Sequence, residues 1–306
     1  MHEKNRGALI IVASAAGFAT LGIFIKYALA GGANITTILA GRFLIAALLM
    51  LVLIKARGIS LAVSRRTACQ LALMGAAGYG GMSGLYAHSV ERLPASLTGM
   101  LLYTYPALVT VLAVLTGEER FTAVKGVALA VCSAGLVLLL GASFSDANME
   151  SVLSILGAAV IYSCYILIGN RILKNLHPLV TSVYVCAAAG LTFLAYGLFS
   201  GTLNLAISQT AWLSIAGVAV FPTVIAVAGF FAGLRLIGST NAAIISMLEP
   251  LITVLLSALL LGESITPLQA CGGGILLSGA LILQLWGREE PGREATDSEL
   301  AVHHIE

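Results

Sequence analysis

Charge is what this sequence has least of. Only 10% of its 306 residues are charged, against 59% hydrophobic, and an ordinary soluble domain carries about a quarter charged residues. Aspartate is almost missing, with Asp146 and Asp297 the only two. A paired-aspartate intramembrane enzyme is therefore excluded. The chain also lacks HExxH, GxSxG and any glycine-rich nucleotide loop, so neither a metal-dependent nor a nucleophilic hydrolase is expected. The five cysteines (Cys69, Cys132, Cys164, Cys186 and Cys271) show no zinc-pair or redox spacing and read as small apolar packing residues. We expect no enzyme activity, no cofactor, no metal and no nucleic-acid partner.

Long apolar runs take the place of what is missing. The mean hydropathy is +0.99, and windows of about 20 apolar residues, each enough to cross a bilayer, recur along the whole chain. The sequence predicts an all-α membrane protein of ten transmembrane helices. We place them at about 8–29, 35–54, 68–88, 95–116, 122–141, 151–169, 178–199, 211–234, 239–261 and 267–286. The first run resembles a signal peptide in having Lys4 and Arg6 before it. It is too long for one and has a counterpart later, so it is expected to be retained. Residues 287–306 form a polar tail with six acidic side chains and are expected to be a disordered cytoplasmic tail.

Most of the basic residues fall on one side. Numbering the connections from the N-terminus, alternate ones hold twelve Lys and Arg, and the others hold only Arg92. By the positive-inside rule both termini are cytoplasmic, which requires an even number of spans.

The chain is also a duplication with an offset of 144. Pro106 falls on Pro250, Glu119 on Glu263, Thr122 on Thr266 and Gly135 on Gly279. The units are residues 7–141 and 151–286. Five spans each is odd, so the two repeats are expected to be inverted, an arrangement that places a substrate at their interface near the midplane.

Several residues at membrane depth need a reason to be there. Glu249, followed by Pro250, sits inside an apolar run, where a carboxylate costs about 3 kcal/mol on insertion scales. A carboxyl that loads and releases a proton is what proton-coupled antiport requires. The alternative is structural, with Glu249 serving backbone groups freed by Pro250 or pairing permanently with a cation. Arg42 lies two turns into the second span; it would hold a substrate carboxylate, or be fixed by Glu249 or by backbone carbonyls. Lys26 either snorkels to the interface or faces the cavity. Tyr79, Tyr86, Tyr103, Tyr162 and Tyr165 must find partners for their hydroxyls, and they suit a cavity for organic solutes as well as they suit packing. Pro106, Pro222 and Pro250, with Gly80 and Gly84, are candidate gating kinks, and Gly80 and Gly84 alternatively form a GxxxG packing face. The stripes Gly126-Ala130-Ala134 and Ala270-Gly274-Ser278 mark the fifth and tenth spans as contact helices. They would meet each other or form a homodimer.

Ser246 to Pro250 (SMLEP), Leu261 to Glu263 (LGE), Thr266 to Gln269 (TPLQ), Gly272-Gly273 and Gly279 together resemble the EamA-type members of the drug/metabolite transporter superfamily. The first repeat matches more loosely, through Arg42 in GRFLIAALL and Tyr103 to Pro106. The resemblance implies a ten-helix secondary transporter in a plasma membrane, a bacterial inner membrane, exporting a small organic metabolite such as an amino acid by alternating access. A passive facilitator or channel and a multidrug efflux protein remain open alternatives. Basic residues that distant relatives use for phosphate are absent from the ninth and tenth spans.

Overall fold

A computed structural model describes residues 3–90, 92–93, 95–141, 148–261 and 264–286. The tail 287–306 lies outside the described residues, as do Gly262 and Glu263. Every regular element described is helical. We number the helical runs α1 (Glu3–Ala30), α2 (Ile35–Ala56), α3 (Arg65–Leu73, Met74–Gly80 and Gly81–Val90 in succession), α4 (Leu97–Leu115), α5 (Ala123–Leu140), α6 (Met149–Leu173), α7 (Pro178–Phe199), α8 (Gln209–Ile237), α9 (Ser239–Leu260) and α10 (Pro267–Trp286). Nine of these are long and apolar enough to cross a membrane. The exception is α3, which opens on Arg65, Arg66 and Gln70 and carries a π-helical segment at its centre.

Polar side chains at the helix starts take up backbone N–H groups that have no intrahelical acceptor. Asn34 accepts from Thr37 N at 2.9 Å, Asn148 from Ser151 N at 3.0 Å and Ser208 from Ala211 N at 3.2 Å. The TPLQ motif is a capping box: Gln269 N donates to Thr266 Oγ1 (3.2 Å), and Thr266 N donates to Gln269 Oε1 (2.9 Å).

The packing has an exchange symmetry. Helices α5 and α10 pair with each other, as do α2 and α7, and α4 and α9. The remaining main contacts come in matched sets: α1 on α8 with α6 on α3, and α4 on α6 with α9 on α1. Swapping the first five helices for the last five leaves this pattern unchanged. Irregularities recur with it. Turns at Tyr103-Thr104 and Met247-Leu248 break α4 and α9 just before Pro106 and Pro250. The π-helical segments Met74–Gly80 and Val220–Ile225 interrupt α3 and α8.

The α5–α10 contact is made by backbone meeting backbone. A Cβ on Gly135 would lie 2.8 Å from the Gly272 carbonyl, and one on Gly279 would lie 2.9 Å from Cys132 N. The stripe read from sequence is not the one in contact: Ala130, Ala134, Gly274 and Ser278 are exposed, and Ala128, Cys132, Gly135, Gly272, Leu276 and Gly279 are buried. Likewise Gly84 faces open space, so Gly80 and Gly84 do not form a packing pair. Close approach in α3 occurs at Gly75, against Val185 and Ala188 of α7.

A clasp ties the α4–α5 connection to the second half of the chain. Glu119 accepts from Lys125 Nζ (3.0 Å), Ser239 Oγ (2.7 Å) and Thr240 N (3.1 Å), the last two at the start of α9. Its neighbour Glu118 accepts from Arg171 Nε and Asn170 of α6. Burial alone would raise the Glu119 carboxyl; Lys125, Ser239 and Thr240 outweigh it and hold it below the ordinary carboxylate range.

Two predictions follow from this packing. Gly135→Leu should cost about 1–3 kcal/mol or more through overpacking, whereas Gly274→Leu, with nothing within 4 Å of its Cβ, should unfold like wild type in detergent-solubilised thermal denaturation. Equal losses would mean the two faces are not distinguished. A lowered folded-state pKa contributes stability above the unfolded carboxylate pKa that is lost as pH falls through the folded value. Glu119→Gln should therefore lower stability at neutral pH, by about 3–5 kcal/mol if Lys125 is left buried without its charge partner. It should also flatten the loss on acidification; an unchanged pH profile would remove Glu119 from the account.

Candidate functional site

The kink in α8 creates the environment of Arg42. Pro222 has no N–H to give to Val218 O. The Thr223 hydroxyl donates to that carbonyl instead, at 2.8 Å, and in turn accepts from Arg42 Nε at 3.3 Å. Arg42 Nη2 donates to the Tyr79 hydroxyl at 3.3 Å. The guanidinium carbon stands 4.5 Å from the centre of the Phe43 ring, a cation–π contact worth about 0.5–2 kcal/mol. Arg42 is 3% exposed. Two of its five N–H donors are thus matched, and both by neutral hydroxyls. No carboxylate lies within ion-pair range among the described residues, so the Arg42–Glu249 pair considered from the sequence does not form.

From Arg42 a ladder of rings runs across the bundle. Phe43 meets Tyr79 edge-on at 5.2 Å, and Tyr79 stacks on Tyr165 at 5.5 Å. Tyr165 stacks on Tyr162 at 5.8 Å, Tyr162 meets Tyr105 edge-on at 4.8 Å, and Tyr105 lies 5.9 Å from Tyr103. The Tyr103 side chain lies beside the Glu249 carboxylate. Glu249 also lies within electrostatic range of Tyr79, Tyr86, Tyr105 and Tyr162. Tyr79, Tyr105, Tyr165 and Arg42 are buried, while Tyr86, Tyr103, Tyr162 and Glu249 are half-buried. A buried cation and a half-buried carboxylate thus flank one aromatic wall.

The breaks in α4 and α9 position the far end of this wall. Tyr103 sits in the turn before Pro106, and Glu249 follows the turn at Met247-Leu248. Tyr105 OH reaches Ala243 O of α9 at 3.5 Å, and Ser163 Oγ donates to Tyr105 O at 3.2 Å. The structure brings together Arg42, Glu249 and all five tyrosines singled out from the sequence. It does not bring Lys26, whose side chain is exposed on α1. Phe43 and Thr223 were not singled out as site residues. Thr223 directly after Pro222 was the available signal, because a hydroxyl there can serve the carbonyl that proline leaves unmatched. No group of three or more metal-ligating side chains occurs among the described residues.

Comparison with known proteins agrees with this architecture. The model of the EamA-like transporter family matches twice, over residues 5–141 and 149–285. An uncharacterized transporter of Archaeoglobus fulgidus is 26% identical over 197 residues, covering 64% of this chain and 70% of that protein. The uncharacterized transporter YcbK of Bacillus subtilis is 27% identical over 193 residues, covering 60% of this chain and 62% of its own length. A second Bacillus subtilis relative, the uncharacterized transporter YyaM, is 24% identical over 254 residues, 79% of this chain and 82% of its own. One solved crystal structure shares the fold with a TM-score of 0.80 at 20% identity, over 92% of this chain and 98% of that one. With two family matches that between them span nearly the whole sequence, this chain belongs to the EamA-like transporter family and is a multi-pass membrane transporter.

Proposed function

We propose that this protein is a proton-coupled secondary transporter exporting a small zwitterionic metabolite, of which an amino acid is the simplest, across a bacterial inner membrane. The observation that carries the reading is the aromatic wall between a buried, carboxylate-free Arg42 and Glu249. A buried guanidinium without a counter-ion is costly and gains most from an incoming carboxylate, which it can hold through two N–H groups. Glu249 at the other end suits the substrate ammonium or a proton, and the two compete for it. Substrate binding would then displace the proton, which is the coupling that antiport needs.

The same reading takes α3 as a tenth span and the two five-helix units as inverted repeats with cytoplasmic termini. The exchange symmetry of the packing, the odd number of helices per unit and the twelve-to-one distribution of basic residues support it. The matched breaks before Pro106 and Pro250, with the π-helical segments around Gly80 and Pro222, are the places where the halves bend as access alternates. Besides the bilayer, a second copy is a partner this reading admits, against the outward Ala130-Ala134 and Gly274-Ser278 faces.

The test is thermal stabilisation of purified protein by a metabolite library at about pH 6 and about pH 8, since a ligand selective for the folded state raises its stability by mass action. Amino acids should stabilise it. Arg42→Gln should weaken their binding roughly ten- to a hundredfold, the loss of about 1.5–3 kcal/mol from a hydrogen bond to a charged group. Glu249→Gln should abolish the difference between the two pH values. If a decarboxylated amine bound as tightly as its amino acid, the Arg42 assignment would be wrong. If the pH difference survived in Glu249→Gln, that residue would be structural.

A further inference from the structure

A second polar feature lies at one end of the bundle, where α1 and α9 begin and α6 and α8 finish. There a cavity of about 460 Å³ is lined by Lys4, Lys174 and Arg235, from three separate helices or their ends. Glu118 and Glu119 also line it, but each is already paired, Glu118 with Arg171 and Glu119 with Lys125. Lys4, Lys174 and Arg235 have no ion-pair partner among the described residues. Three like charges around one cavity repel, and an anion entering it relieves that repulsion. Helix dipoles account for two of the three. Lys174 caps the C-terminal end of α6 and Arg235 lies in the last turn of α8, where a cation is favoured. Lys4 lies in the first turn of α1, where the dipole disfavours it. An anion in the cavity gives Lys4 a reason to be there.

Size and neutral lining narrow the ligand. Pockets for small organic ligands run from about 300 to about 1,000 Å³, so a bare inorganic ion would leave most of this one empty. Asn241 also lines it. Its Nδ2 donates to Ile237 O at 2.9 Å, while its buried Oδ1 has no hydrogen-bond partner among the described residues. A buried acceptor without a donor is costly, and a ligand hydroxyl supplies the donor. The three cations approach from different helices. A tetrahedral phosphate presents oxygens in several directions, where a carboxylate presents two in one plane. Arg235 can hold two phosphate oxygens at once, and the lysines act as point charges. We propose that this cavity binds a phosphate group bearing a small hydroxylated substituent, of which phosphoglycerol is the simplest. Lys4, Lys174 and Arg235 hold the phosphate, and Asn241 accepts from the hydroxyl. The same chemistry occurs in a lipid headgroup and in a free solute, and a basic pocket at the ends of membrane helices suits both.

The test reads binding and leaves transport and Arg42 aside, so it succeeds or fails independently of the proposed substrate. In one arm the full chain, in phosphatidylcholine nanodiscs that carry no net lipid charge, is titrated with glycerol 3-phosphate. In the other the full chain in neutral detergent is mixed with phosphatidylglycerol, and bound lipid is counted by native mass spectrometry. At least one ligand should bind saturably; the first arm alone identifies a solute, the second alone a lipid. The affinity should fall at least about tenfold between low salt and about 0.5 M salt, as screened ion pairs do. It should fall by as much in the Lys4→Gln, Lys174→Gln, Arg235→Gln protein. These side chains are exposed, so that protein should melt like wild type without ligand. Asn241→Leu should weaken the hydroxylated ligand about two- to tenfold, as loss of a hydrogen bond does. It should leave methyl phosphate and phosphatidylmethanol, which lack the hydroxyl, unchanged. Binding of neither ligand would overturn the proposal, as would equal binding by the triple variant or glycerate bound as tightly as glycerol 3-phosphate.

Discussion

A charge taken into an apolar helical bundle must be answered by dipoles or by an opposite charge, and among the described residues Arg42 is answered only by dipoles. Its partners exist because Pro222 breaks a backbone hydrogen bond and Thr223 repairs it, leaving a hydroxyl oxygen aimed at the guanidinium. Phe43 and Tyr79 contribute ring faces and a second hydroxyl. These neutral contacts hold the cation in place without neutralising it. The proposed function rests on that incomplete answer: a fully paired arginine would be scaffold, whereas one held by neutral dipoles would gain from an incoming anion.

The rest of the architecture makes such a site possible. Where glycines let backbones touch, as at Gly135 and Gly272, α5 and α10 form a close-packed pair. The interruptions of α3 and α4 carry Tyr79 and Tyr103 of the aromatic wall, and those of α8 and α9 carry Thr223 and precede Glu249. The Glu118-Glu119 clasp joins the α4–α5 connection to α6 and α9. One ion pair, Glu118–Arg171, and the hydrogen bonds of Glu119 to Ser239 and Thr240 thus join the halves at one end of the bundle, while the centre depends on rings and hydroxyls.

Much of this was legible in the sequence because hydropathy and repetition are one-dimensional signals. The seventh expected span, 178–199, coincides with Pro178–Phe199, and the offset of 144 pairs Pro106 with Pro250, each of which follows a break in its helix. Facing is a different matter. On α5, small residues occur on more than one side, so the spacing Gly126-Ala130-Ala134 was as good a stripe as Ala128-Cys132-Gly135, and only packing chose the second. The clasp was hidden for a related reason. Glu119 joins residues 120 positions away, and its alignment with Glu263 signalled duplication without naming a partner. Arg42 and Glu249 stood out as charges at depth, but the tyrosine wall keeping them apart belongs to the tertiary structure.

The central claim is that Arg42 and Glu249 are two ends of one substrate site whose occupancy exchanges with a proton. Transport into or out of proteoliposomes under an imposed pH gradient tests it most directly. The account predicts that an amino acid accumulates against its own gradient while the pH gradient is held, that it equilibrates when the pH gradient is collapsed, and that accumulation is lost in Glu249→Gln although exchange of labelled for unlabelled substrate continues. Equal rates with and without the pH gradient, unaffected by the substitution, would contradict it and leave a passive facilitator in its place.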